Sequence, residues 1–224
     1  MIPLRDTIRP RTYPIVNITI IVLNIIFFLM ESSLNEIGLV EIFYLFGLTP
    51  SSFLRNLEMG NFSAAITPLF TSIFLHGGWL HIISNMLFLW VFGDNVEDRV
   101  GHFKYLVFYL TVGAIANITQ VLADPLSTIP IIGASGAVAG ILGAYYVSFP
   151  RAKILALIPI IFFFTLMEVR ASFFIIFWFI LQVFNGVFSI STVGNSVAWW
   201  AHIGGFLGGI LLIRFFKTNR KLIL

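Results

Sequence analysis

The sequence predicts an all-α integral membrane protein: one bundle of six transmembrane helices, both termini cytoplasmic, with a long loop on the membrane surface between helices one and two. Three observations predict it. Of 224 residues, 58% are hydrophobic and only 10% are charged, where a soluble domain carries about 25% charged residues, and mean hydropathy is +0.98. Six apolar runs follow one another along the chain. The basic residues between those runs fall almost entirely on one side of the membrane that the runs imply.

The runs are 15–30, 80–93, 105–122, 134–149, 172–189 and 198–216. A full span takes about 20 apolar residues, so the shorter runs borrow neighbours or owe their tilt to packing. A seventh run, 154–167, carries Pro159. Its length fits an interfacial or re-entrant piece better than a crossing. Six crossings put both termini on one side with Arg5, Arg9, Arg11, Arg99, Lys104, Arg151, Lys153, Arg214, Lys217, Arg220 and Lys221. The other side keeps Arg55, with Arg170 as a second candidate. Basic loops stay in the cytoplasm, so the termini are expected there. A seventh crossing would carry the basic tail outside.

The basic start precedes an apolar run, but Glu31-Ser32-Ser33-Leu34 follows without a small-residue cleavage site. An uncleaved anchor is expected. The first outside loop, 31–78, is rich in Phe, Leu and Ile, and is expected to fold onto the membrane surface. No stretch is polar enough for a second domain, so residues 1–224 read as one membrane domain. The absence of cysteine excludes disulfides, iron–sulfur clusters, a thiol nucleophile and thiolate-bound zinc. A net charge of +3, sorted by membrane side, gives no sign of nucleic-acid binding.

Polar groups inside a bilayer are costly and mark function. Span two opens HGGWLHIISNMLF, with His76, His81 and Asn85; the last two lie four apart on one helix face. Span four opens with Ser135, and span six opens WWAHIGGFLGG, with His202. These three spans run in the same direction, so His81, Asn85, Ser135 and His202 share one depth in the outer leaflet, below Trp79, Trp199 and Trp200. Gly136, Gly140 and Gly143 form a ridge on span four, and Gly204/Gly208 and Gly205/Gly209 form small-residue pairs on span six. Such ridges let backbones approach closely, which would bring the Ser135 hydroxyl to the His202 ring.

Serine becomes a nucleophile when a base takes its proton, and imidazole is the usual base. A carboxylate would normally orient the ring. The acids near spans are Asp94, Glu97, Asp98 and Glu168 at inner ends and Asp124 in an outer loop, so any catalytic pair here is expected to be a Ser–His dyad. Acyl transfer also needs oxyanion donors, each worth about 3 kcal/mol; His81, the Asn85 amide and the Ser135 N–H suit. Water must reach the site through a cavity open to the outside.

Together these residues resemble the rhomboid family of intramembrane serine proteases. The resemblance covers nearly the whole chain and is clearest over 67–216. It rests on His81-x3-Asn85, on Gly133-Ala134-Ser135-Gly136 as Gly-x-Ser-Gly, on Ala201-His202-x-x-Gly205, and on GDNVEDRVG at 93–101. It implies Ser135 as nucleophile and His202 as general base and then acid. His81 and Asn85, with Gly133 beside them, would line the oxyanion hole. No cofactor or metal is implied. The partners would be transmembrane protein substrates and membrane lipid, in the cell membrane, with the site opening to the outer face. The first loop would be the family's membrane-embedded loop, and span five the mobile side where substrate enters. Two positions depart from the family pattern. Ala139 stands where some members carry a Tyr under the histidine, and Arg55 stands alone where a Trp-Arg pair is common. The chain otherwise resembles a minimal six-helix member.

The remaining polar residues read more plainly. His76 is equally compatible with a site edge and a surface loop. Glu97 and Arg99 read as an inner-face ion pair and helix-end cap, His102 as solvated, and Gln182, Asn185 and Asn117 as interhelical hydrogen-bonding groups. A zinc protease would need His-Glu-x-x-His, which is absent. An aspartyl type would need two acids within spans. A transporter would show repeats, and a non-cleaving relative would typically lack Ser135 or His202.

Overall fold

The structure, a computed structural model, describes residues 1–160, 163–189 and 197–216. Lys217, Arg220 and Lys221 of the basic tail lie outside them. A strand β1 (Ile2–Asp6) precedes α1 (Ile15–Ser32). Four short elements then build the first loop and its return: α2 (Glu36–Phe46), α3 (Pro50–Glu58), α4 (Phe62–Thr71) and a 3₁₀ turn, Ser72–Phe74. There follow α5 (Trp79–Phe88), a π turn (Leu89–Gly93), α6 (Asp94–Val100), α7 (His102–Ala123) and α8 (Ser135–Ser148). The chain continues through β2 (Lys153–Ile160), β3 (Phe163–Arg170), α9 (Ala171–Ser189) and α10 (Trp199–Phe216).

Among the described residues, four helices are long and apolar enough to cross a membrane: Ile15–Ser32, His102–Ala123, Ala171–Phe188 and Trp199–Phe216. The pair Phe62–Phe74 and Trp79–Val100, bent by 84°, makes a fifth if it is taken as one span. Outward-facing side chains on α1, such as Leu29 and Met30, are apolar and exposed, as a lipid solvent allows. The expected fourth span is different in kind. α8 has 14 residues, about 21 Å at 1.5 Å per residue, short of a bilayer core of about 30 Å. Every residue from Gly136 to Tyr145 is buried. α8 packs against α7, α9 and α10, so it is the centre of the bundle and has little lipid to face.

The expectation of an all-α chain is corrected by a sheet. β1, β2 and β3 form an antiparallel three-stranded sheet in that order. The described part of the run 154–167 is extended, in two antiparallel strands with Ile154 opposite Val169 and Leu157 opposite Leu166. β1 pairs with β2 from Ile2↔Leu157 to Asp6↔Ile154. Lys153 lies opposite Arg170, so Arg170 belongs with the Lys153 cluster and Arg55 stands without it.

Polar side chains fasten the strand and the helix ends together. Glu97 caps α1 from 80 residues away, accepting from Asn17 N (2.7 Å) and from Val16 N (3.0 Å). It also pairs with His102, which is half-exposed. Asn17 donates to the Leu89 carbonyl at 2.9 Å, supplying a partner where the helix ladder loosens into the π turn. Asp6 accepts from the Tyr145 hydroxyl and from Asn95 Nδ2.

Burial pushes the Asp6 carboxyl up from 3.8 to about 6, against the lowering effect of the Tyr145 hydrogen bond. A folded carboxyl that holds its proton more tightly than the unfolded one loses stability as pH rises from about 3.8 to about 6. Melting temperature in detergent is therefore expected to fall across that window. Asp6→Asn should flatten the fall; an unchanged slope would place it on another group.

Candidate active site

The site is assembled from three helix starts. The loop into α8 is held by a bridge between Leu48 and Ile131 and by Gly133 N donating to the Ser72 carbonyl at 2.9 Å. Gly133 has φ +119°, and a Cβ there would lie 2.6 Å from the His81 ring. Only glycine combines that backbone with that approach. Ser72 is itself fixed by Asn117 of α7, whose Nδ2 reaches its Oγ and the Leu69 carbonyl, both at 2.9 Å. α10 begins under a side-chain cap: Gln120 Oε1 of α7 accepts from Trp200 N (3.1 Å) and Ala201 N (3.3 Å). The first turn of α10 then carries His202 inward, where it is buried.

α8 and α10 meet almost backbone to backbone. A Cβ at Gly205 would lie 2.1 Å from the Gly136 carbonyl oxygen, and one at Gly209 would lie 2.0 Å from that of Gly140. Gly204 and Gly208 instead face Thr119 and Ile115 of α7. The two small-residue pairs of span six thus serve two different neighbours. The close seam puts Ser135 Oγ 2.8 Å from His202 Nε2. On the other side of the ring, His202 Nδ1 lies 2.8 Å from Gln182 Oε1 of α9. Trp178 and Trp199 flank the imidazole, with ring centres 6.0 and 5.9 Å away.

Ser135, His202, His81, Asn85 and Gly133 all line one cavity of about 980 Å³. Asn85 is buried, and its Nδ2 lies 3.2 Å from His76 Nε2. The His76 and His81 rings meet edge to face at 5.1 Å. His76 is no surface residue: it is buried, and its backbone N–H donates to Glu31 Oε2 at 3.0 Å. An amide can donate two hydrogens. With one directed at His76, Asn85 keeps the other for the cavity. Among the described residues, no group of three or more His, Cys, Asp or Glu side chains is placed to hold a metal ion.

The sequence predicts interhelical bonds for Gln182 and Asn117, and both make them. It did not connect Gln182 to His202, because the rotation of α9 against α10 is a property of packing. Glu31 was missed as well; its signal was a carboxylate at the end of the first apolar run, level with the site.

The chain is similar to known proteins over most of its length. The sequence profile of the Rhomboid domain matches residues 63–218. The chain is 34% identical over 142 residues to "Rhomboid protease GluP" of Bacillus subtilis (strain 168), covering 63% of this chain and 24% of that protein. It is 31% identical over 144 residues to "RHOMBOID-like protein 5" of Arabidopsis thaliana, covering 64% and 42%. Against the human "Presenilin-associated rhomboid-like protein, mitochondrial" identity is 24% over 156 residues, covering 66% and 38%. The matched region thus spans less than half the length of each of these relatives. With the family profile matching well over half the chain, and with its apolar helices, this is an integral membrane protein that belongs to the rhomboid family.

Proposed function

We propose that the protein is an intramembrane serine endopeptidase that hydrolyses peptide bonds in or near transmembrane segments of other membrane proteins. The observation that carries this is the 2.8 Å contact between Ser135 Oγ and His202 Nε2 inside the cavity. Ser135 Oγ attacks the scissile carbonyl carbon while His202 Nε2 takes the hydroxyl proton. The carbonyl oxygen of the tetrahedral intermediate faces donors from the Ser135 N–H, Asn85 and His81. Collapse breaks the C–N bond, and His202 returns the proton to the leaving amine. Water, activated by His202, then releases the acyl group. No cofactor or metal enters this sequence, and no nucleic acid is a partner.

Six crossings with cytoplasmic termini belong to the same reading, in the cell membrane, as one domain over residues 1–224. The pairing of β1 with β2 supports it, since it sets the start of the chain beside the basic Arg151–Lys153 segment. The cavity would then open to the outer face. The experiment is to incubate purified protein in detergent with a panel of single-span substrates and map each cut by mass spectrometry. Cuts within or beside the apolar segment are expected; cleavage confined to unfolded soluble protein, or none, would remove the proposal. Asn85→Ala should lower kcat by roughly 10–1,000-fold with little change in KM. Unchanged kcat would take Asn85 out of the oxyanion hole.

A further inference from the structure

We infer, on the footing that His202 is the general base, that Gln182 is a positioning residue which fixes the tautomer and orientation of the imidazole from α9. The amide of Gln182 is itself oriented. Its Nε2 donates to the Trp178 carbonyl one turn earlier, at 3.1 Å. That leaves Oε1, which can only accept, against His202 Nδ1 at 2.8 Å. Nδ1 must therefore carry the ring hydrogen, and Nε2 presents its lone pair to the Ser135 hydroxyl. A base with the hydrogen on the wrong nitrogen cannot take the serine proton.

The same stretch of α9 supplies the packing. Trp178 leans on the His202 ring, and Phe179 stacks on Phe206 of α10 with ring centres 4.3 Å apart. Gln182 is buried at the cavity wall, so its bond is less open to water than one at a surface. Ala139, four residues after Ser135, offers neither a ring nor a polar atom to hold the imidazole. The orientation of the base is thus a property of α9 seated against α10.

The test uses Gln182→Leu and Gln182→Glu in the full chain, with substrate kinetics across pH and the rate of fluorophosphonate labelling at Ser135. Gln182→Leu should lower kcat and the labelling rate together, by about 10–100-fold, with KM within about twofold. Gln182→Glu should restore turnover, with the acid limb of the pH–kcat profile moved to higher pH by about one unit or more, because a carboxylate at Nδ1 favours the protonated ring. The moved limb places the side chain at Nδ1, and the loss of kcat in Gln182→Leu at unchanged KM separates positioning from packing. Wild-type kcat and labelling in Gln182→Leu would overturn the assignment, as would a Gln182→Glu profile that overlays the wild type. If Gln182→Leu fails to fold, the Gln182→Glu profile alone decides. Failure of the dyad itself reads differently: Ser135→Ala would then keep cleaving, a result no Gln182 variant produces.

Discussion

Ser135→Ala is expected to abolish cleavage of a transmembrane substrate, with a fall in kcat of roughly 10⁶-fold and a melting temperature close to that of the wild type. The fold should survive because Ser135 is only part-buried at the cavity wall, and its hydroxyl contributes a bond to His202 rather than to the helix seam. His202→Ala should fall as far. The two act as one unit, so the double variant should be no worse than either alone. A fluorophosphonate should label Ser135 in the wild type and fail to label it in His202→Ala. Cleavage by Ser135→Ala at the wild-type rate would end the serine mechanism, and undiminished labelling of His202→Ala would end the dyad.

The part of this site that was legible in the sequence is the part set by depth. The predicted spans two, four and six would set His81, Asn85, Ser135 and His202 at one level, since helix rise alone determines level once direction is known. What converges laterally was legible only where a sequence feature marks it, as the glycines of α8 and α10 do. Gln182 carries no such mark: a glutamine in an apolar helix can face any neighbour, and only the packing of Phe179 on Phe206 aims it at His202. The sheet escaped for another reason. A continuous apolar run has neither a period of two nor of 3.6, so strand and helix look alike. Its partner β1 lies some 150 residues away in the chain. Glu97 was readable as an inner-face cap but not as the cap of α1, for the same want of long-range information. The composition of α8 marks an apolar span but not its place at the centre of the bundle. Its 14 residues suffice as a buried centre, where protein rather than lipid surrounds it.

The second large effect lies in the helix seam and touches no reacting group. Gly205→Val should lower kcat by about a hundredfold or more, since displacements near 1 Å cost that much in a positioned site. The glycine sits where the Gly136 carbonyl passes, and a Cβ would lie 2.1 Å from that oxygen. The obstacle is backbone, so no rotamer relieves it, and α10 must move off α8. That motion stretches the Ser135–His202 contact from 2.8 Å past the range of about 3.2 Å in which a hydrogen bond is sound. It also uncovers buried apolar surface along the seam, so the melting temperature should drop with the activity. Gly208→Ala is the control. A Cβ there meets only the Ile115 side chain, at 3.3 Å, and a shift of that side chain by a few tenths of an ångström would relieve it, so activity and melting are expected to stay near wild type. The comparison at equal size is Gly205→Ala against Gly208→Ala. If the two behave alike, close approach of α8 and α10 is not what holds the serine and the histidine together.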